Sequence, residues 1–207
     1  MHGSPLSVIV TRDFFRSAEG FIAAAGQIAD AGAGFIQIRD KSCDKRKMLQ
    51  EARRVKERLK ARRAILVVND HVDIAALIRA DGVHLGQRDL PIEAARSILG
   101  REAIIGISCA NLTQALAAQK AGADYIGIGP VFPTPTKTDE PAVGLGVLAE
   151  LTRHLRIPFY AIGGINGRTI QKVLQSGAER VAVSSAICLA KDRKRATRFF
   201  NRILRRS

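Results

Sequence analysis

Short runs of β-branched and other apolar residues recur along the chain, at positions 7–10, 35–38, 65–69, 82–85, 104–108, 125–129, 159–162 and 181–183. They are continuous or nearly continuous in apolar character, as expected of parallel strands covered on both faces. Between most of them, at 18–31, 44–61, 73–79, 92–99, 112–121 and 168–176, apolar residues fall at helical spacing. Thr113, in Asn111-Leu112-Thr113-Gln114, and Asn166, before Gly167-Arg168-Thr169, read as N-terminal helix signals. Gly32-Ala33, Gly122-Ala123 and Gly177-Ala178 each stand between a helix and the next strand, where glycine suits a helix C-cap. Eight strands alternating with helices predict an α/β chain forming a single-domain (β/α)8 TIM barrel over residues 1–207. An open doubly wound sheet is the competing architecture, because strand count alone does not prove closure. No Pro/Ser-rich linker divides the chain.

Composition narrows the class. With 46% hydrophobic and 25% charged residues, the chain is neither disordered nor fibrous. No apolar run approaches ~18 residues, so no membrane span is expected. The apolar stretch at 6–10 has no basic region ahead of it, so no secretory signal is expected. Cys43, Cys109 and Cys188 are odd in number and far apart, which fits neither a disulfide framework nor metal-ligand spacing and points to the cytoplasm.

Charge adds one constraint. Lys plus Arg number 33 against 19 acidic residues, a net +14 that suggests anionic partners. Ten basic and three acidic side chains lie in 44–63, and eight basic and one acidic in 191–207. Both segments carry helical apolar spacing (Met48, Leu49, Ala52, Val55, Leu59; Phe199, Phe200, Ile203, Leu204), so the charges belong on solvated helix faces, the second on a basic C-terminal helix. Aromatics make up 5% and do not interleave with the basic residues, so stacking platforms for a single strand are missing. Nucleic acid, a membrane surface and phosphorylated small molecules are the anionic partners that such a charge admits, and a solvated basic surface with no specific partner is the plainer reading; a homo-oligomer is compatible with the sequence.

In a barrel of this kind the site lies just after the strands. Polar residues collect there: Gln37, Arg39 and Lys41; Asn69 and Asp70; Gln87 and Asp89; Ser108; Thr134, Thr136 and Lys137; Gly163-Gly164; Ser184-Ser185. Arg39, Lys41 and Lys137 are cations suited to phosphate oxygens. Asp70 and Asp89 are hard oxygen donors of the kind that hold Mg²⁺ together with substrate phosphates. Gly163-Gly164 and Ser184-Ser185 offer N–H groups and hydroxyls for a second phosphate, after strands seven and eight. Each has a plainer role available: Asp70 and Asp89 as helix caps, Gly163-Gly164 as a turn, Arg39-Asp40-Lys41 as a solvated strand end. His84 reads as a hydrogen-bonded core histidine in apolar surroundings, and Cys109 as packing.

Several segments resemble the thiamine-phosphate synthase family. They are Gln37-Ile38-Arg39-Asp40-Lys41, Val68-Asn69-Asp70, Asp81-Gly82-Val83-His84-Leu85-Gly86-Gln87-Arg88-Asp89-Leu90 and Gly127-Ile128-Gly129-Pro130-Val131-Phe132-Pro133-Thr134-Pro135-Thr136-Lys137. Ala161-Ile162-Gly163-Gly164-Ile165 and Val183-Ser184-Ser185-Ala186-Ile187 complete the set. The resemblance implies a (β/α)8 transferase that joins hydroxymethylpyrimidine diphosphate to thiazole phosphate with Mg²⁺. It assigns Gln37, Ile38, Arg39, Asp40, Lys41 and Asn69 to the pyrimidine diphosphate, with Ser108 and Lys137 on the same substrate. It gives Asp70 and Asp89 to the metal. Thr134, Pro135, Thr136, Gly163, Gly164, Ser184 and Ser185 go to the thiazole phosphate, and the segment 134–144 is expected to close over the mouth. Arg39, Lys41, Ser108 and Lys137 are the expected catalytic set.

One departure stands out. Family members commonly carry Ser-x-His at the end of strand five, and here that His position is Ala110. A related thiazole tautomerase branch relies on a His in this neighbourhood, so its loss argues against a tautomerase; His71 is the remaining stand-in. A degenerate ligand-sensing relative would keep the barrel without the turnover, and a nucleic-acid-binding protein would use the +14 charge.

Overall fold

The computed structural model describes residues 4–42, 44–134 and 141–205. The eight expected strands form: β1 (Leu6–Thr11), β2 (Phe35–Arg39), β3 (Ile65–Asn69), β4 (Gly82–Leu85), β5 (Ile104–Cys109), β6 (Tyr125–Ile128), β7 (Phe159–Ile162) and β8 (Val181–Val183). All neighbours pair in parallel, and β1 pairs with both β2 and β8, with Leu6 opposite Val181. The sheet is therefore a closed barrel, not an open one.

The helices are α1 (Ala18–Asp30), α2 (Lys45–Leu59), α3 (Val72–Ile78), α4 (Ile92–Leu99), α5 (Leu112–Lys120), α6 (Gly146–His154), α7 (Ile170–Gln175), α8 (Ser185–Cys188) and α9 (Arg193–Leu204). Ser17, Asp44, Asn111 and Asp192 cap α1, α2, α5 and α9 by accepting from a backbone N–H three residues on. The cap of α5 is thus Asn111 and not Thr113, which lies in the first turn. Asn166 opens a turn: its side chain accepts from Arg168 N, and α7 starts only at Ile170. Gly32, Gly122 and Gly177 all have φ near +90°, the conformation that ends α1, α5 and α7 without a Cβ penalty. Among the described residues, no helix is long and apolar enough to cross a membrane.

Strand alternation divides the core into two shells. Leu6, Val8 and Val10 of β1 pack outward on the helices, as do Ile36, Ile38, Leu66, Val68, Val83 and Ile126. Ile9, Phe35, Val67, Tyr125, Tyr160 and Ala182 fill the barrel itself. Phe35, Tyr125 and Tyr160 form a three-ring floor, with centroids 5.4, 5.5 and 5.6 Å apart. Gly106 makes room for it, since a Cβ there would lie 2.0 Å from the Tyr125 ring. With the lower barrel plugged by aromatic rings, a ligand is confined to the end where the strands finish.

Outside the barrel, α1 packs between α2 and α9. The basic side chains Arg46, Lys47, Arg53 and Arg58 on α2, and Lys194, Arg195, Arg198 and Arg202 on α9, are exposed. Glu51 is the exception on α2: it is buried and pairs with Arg12, Nε to Oε2 at 2.6 Å.

Candidate active site

One pocket occupies the barrel mouth above the aromatic floor. Gln37, Arg39, Asn69, Ser108, Thr134, Gly163, Gly164, Ser184 and Ser185 line it, with Ser7, Ile9 and Thr11 of β1 and His84 of β4. Gln37 and Asn69 are buried neighbours, Nε2 donating to Oδ1 at 2.6 Å. That bond consumes the Asn69 carbonyl and leaves its amino group, together with the Gln37 carbonyl, for a ligand.

The rim above β2, β3 and β4 is acidic and basic at once. Asp70 takes φ +62°, rare for a residue with a Cβ, and its backbone N–H is tied to His84 O at 2.8 Å. This conformation aims its carboxylate at Lys41, with which it forms an ion pair. Asp89 lies on the turn after β4, its Oδ2 accepting from Gly86 N at 2.6 Å. Burial raises the Asp70 carboxyl, but hydrogen bonds from Lys41 and Asp89 and the Lys41 charge outweigh it, so its pKa is lowered. Asp89 goes the other way: burial and the adjoining Asp70 raise it, against the Gly86 N–H. The two neighbouring carboxyl groups are thus pushed in opposite directions, Asp70 down and Asp89 up. Asp70 and Asp89, neighbouring carboxyl groups and both hard oxygen donors, suit a divalent cation of the Mg²⁺ type, although neither lines the pocket itself. Among the described residues no cluster of three or more His, Cys, Asp or Glu side chains forms, so substrate and water would supply the other ligands.

The opposite rim is built from backbone. Gly163 and Gly164 have φ of +96° and +65°, and a Cβ on either would collide with the segment after β6: 2.4 Å from Pro130 Cα and 2.7 Å from Phe132 Cβ. Val131 N and Phe132 N donate to Ile162 O and Gly163 O across this contact. Ser184 Oγ donates to Ile9 O at 2.7 Å and lies 3.2 Å from Thr11 Oγ1, so its proton is committed within the protein. Ser185 opens α8 beside it; of the first-turn N–H groups, Ile187 N already donates to Ser184 O, which leaves those of Ser185 and Ala186 at the helix start.

Not every expected residue meets here. Ile38 points outward into the helix-packed core, and Asp40 accepts from Ser42 N beside a separate small cavity near Met48 and Glu51. Pro135, Thr136 and Lys137, with most of the segment expected to close the mouth, lie outside the described residues. His84 is the expected buried, hydrogen-bonded histidine, and it also lines the pocket, Nδ1 2.8 Å from Tyr125 Oη and Nε2 2.9 Å from Ser108 Oγ. Thr11 and Tyr125 escaped sequence reading, because a run apolar on both faces does not show which face is inside. His71 sits at the start of α3 with Nδ1 2.8 Å from Lys45 Nζ; burial first, then the Lys45 charge, lowers its pKa. Cys109 is buried and its thiol is pushed up to about 12 by burial, in keeping with packing.

Comparison with known proteins follows the same lines. Residues 6–187 match the thiamine monophosphate synthase family. A thiamine-phosphate synthase of Synechococcus sp. (strain CC9311) is 42% identical over 96% of this chain, which spans only 56% of that longer relative. One of Shouchella clausii (strain KSM-K16) is 40% identical over 91% of this chain and 90% of its own. The solved thiamine phosphate pyrophosphorylase of Pyrococcus furiosus superposes with a TM-score of 0.88 at 36% identity, covering 97% of this chain and 95% of that one. By match along most of its length and by barrel geometry alike, the chain belongs to the thiamine monophosphate synthase family.

Proposed function

We propose that this chain is a transferase that joins 4-amino-2-methyl-5-hydroxymethylpyrimidine diphosphate to 4-methyl-5-hydroxyethylthiazole phosphate, giving thiamine phosphate and diphosphate. One observation carries the reading: a single pocket is lined by Gln37, Arg39 and Asn69 on one side, with the Lys41–Asp70 ion pair following directly in sequence outside the lining, and by Gly163-Gly164 with Ser185 on the other. Two phosphorylated substrates laid tail to rim would bring their rings together over the aromatic floor.

Asp70 and Asp89 would hold Mg²⁺, which when bound neutralises charge on the departing diphosphate. Arg39 and Lys41 add positive charge at the same rim, Lys137 joins them on the strength of its motif, and Ser108 donates a hydrogen bond to that substrate. Gln37 and Asn69 offer an acceptor and a donor side by side, which match the amino group and adjoining ring nitrogen of an aminopyrimidine. Thr134, Pro135 and Thr136 with Gly163, Gly164, Ser184 and Ser185 hold the thiazole phosphate. The C–O bond to diphosphate breaks first, leaving a cation that the electron-rich aminopyrimidine stabilises, and the thiazole nitrogen then adds to its CH₂. No protein nucleophile or general base is needed; alignment and charge do the catalysis. Its partners are these small molecules, and buried free Cys109 and Cys188 suit a cytoplasmic enzyme.

A tautomerase would need an acid/base in the pocket. Ala110 has no proton to give, and the Lys45 ammonium donates to His71 Nδ1, which occupies that nitrogen. The enzyme is therefore tested on the non-aromatic thiazole carboxylate phosphate alone and on the aromatic thiazole phosphate with the pyrimidine diphosphate. Coupling of the second pair with negligible isomerisation of the first supports the reading; isomerisation without coupling overturns it.

A further inference from the structure

Three side chains on adjacent strands make a continuous hydrogen-bonded chain from the barrel floor to the pocket. Tyr125 on β6 lies below, His84 on β4 spans the middle, and Ser108 on β5 ends it, with contacts of 2.8 and 2.9 Å. Strand register places them: Gly106 is paired with both His84 and Tyr125, and Ser108 with Gly127. Two glycines clear the path. A Cβ at Gly106 would strike the Tyr125 ring, and one at Gly127 would come within 3.0 Å of His84 Cε1.

Distances alone leave the proton order open, and burial decides it. Tyr125 is 3% exposed, and burial holds its phenol well above the ordinary value, so the hydroxyl keeps its proton. His84 Nδ1 is the one acceptor that the Tyr125 hydroxyl meets among the described residues. Were Nδ1 protonated, its N–H would face that hydroxyl and the buried Tyr125 proton would have no acceptor, a full desolvation loss. With Nδ1 accepting, a neutral His84 carries its proton on Nε2 and donates to Ser108 Oγ.

We infer that Tyr125 locks His84 as the Nε2–H tautomer, so that Ser108 cannot spend its own proton on His84 and presents it to the ligand in the pocket. Tyr125 and His84 are positioning residues, and Ser108 is the group that touches substrate. The inference rests on the proposed function for what Ser108 meets, an acceptor oxygen of the pyrimidine diphosphate. A donor held in place before the reaction gains strength as charge grows on the leaving group, so the lock acts on kcat more than on KM.

The test uses the full chain labelled with ¹⁵N-histidine, the His84 signals being assigned by their loss in His84→Gln. A long-range ¹H–¹⁵N spectrum is expected to show an unprotonated Nδ1 and a protonated Nε2 at neutral pH; the reverse pattern, or an exchange average of the two, overturns the lock. This readout stands whether or not the enzyme couples the proposed substrates, so failure of the lock and failure of the function are told apart. In kinetics, Tyr125→Phe is expected to lower kcat about tenfold, with KM for both substrates little changed. In a Ser108→Ala background the same substitution is expected to add no further loss. Independent, multiplying losses would mean that Tyr125 acts on packing alone and would also overturn it.

Discussion

Gln37 Nε2 and Asn69 Oδ1 lie 2.6 Å apart across the ends of two neighbouring strands, both side chains buried, so each amide fixes the orientation of the other. Either residue alone would be free to present amide or carbonyl; as a pair they present one of each. Asn69→Ala removes a donor to the ligand and frees Gln37 to turn. It is expected to lower kcat/KM for the pyrimidine diphosphate by about tenfold or more, corresponding to one or two hydrogen bonds. KM for the thiazole phosphate should stay within about twofold, since that substrate is assigned to the opposite rim. Equal losses for both substrates would count against the pairing as a pyrimidine reader.

At the acidic rim, chelator treatment is expected to abolish turnover and added Mg²⁺ to restore it. Asp89→Asn should raise the Mg²⁺ needed for half-maximal rate by at least about tenfold, no less than loss of an outer-shell partner costs. Because the substitution also removes a like charge beside Asp70, thermal stability should hold or rise slightly. Unchanged turnover in chelator would take the metal out of the reading.

Gly163→Ala addresses the other rim. Its φ of +96° and the 2.4 Å approach to Pro130 Cα leave no place for a methyl group. A destabilisation of roughly 1–3 kcal/mol is expected in urea denaturation, from backbone strain and overpacking. KM for the thiazole phosphate should rise, since the loop that carries the N–H groups must move away from Pro130. Full affinity in a folded variant would detach Gly163 from phosphate binding.

Stability depends on a pair away from the pocket. Arg12 and Glu51 are 13% and 6% exposed at the side chain, and Glu51 Oε1 has no hydrogen-bond partner among the described residues. Arg12→Ala would strand a buried carboxylate, at about 3–5 kcal/mol, whereas Arg12→Met combined with Glu51→Leu should cost far less. Guanidinium denaturation measures both. A loss below about 1 kcal/mol for Arg12→Ala would place the pair with ordinary surface ion pairs.

Much of this was legible in the chain. The eight strands fall within one or two residues of their apolar runs, because a parallel strand buried on both faces leaves a continuous apolar signature. The same continuity hid what faces inward. Nothing in Gly82-Val83-His84-Leu85 distinguishes the face of His84 from that of Val83, and its contact with Tyr125 depends on register across three strands. α6, preceded by Leu145 with no side-chain cap, escaped reading. Glu51 looked like one acid on a basic helix; that it turns inward to Arg12 is a tertiary fact. The polar residues after the strands were found by position, and the structure separates those lining the pocket, such as Gln37 and Arg39, from Ile38 between them and Asp40 just after.

The central claim is tested most directly by incubating the chain with both substrates and Mg²⁺ and quantifying products by mass spectrometry. The account predicts thiamine phosphate and diphosphate in equal amounts, both dependent on enzyme and on each substrate. Diphosphate released with no thiamine phosphate, or neither product formed while both substrates demonstrably bind, would contradict it.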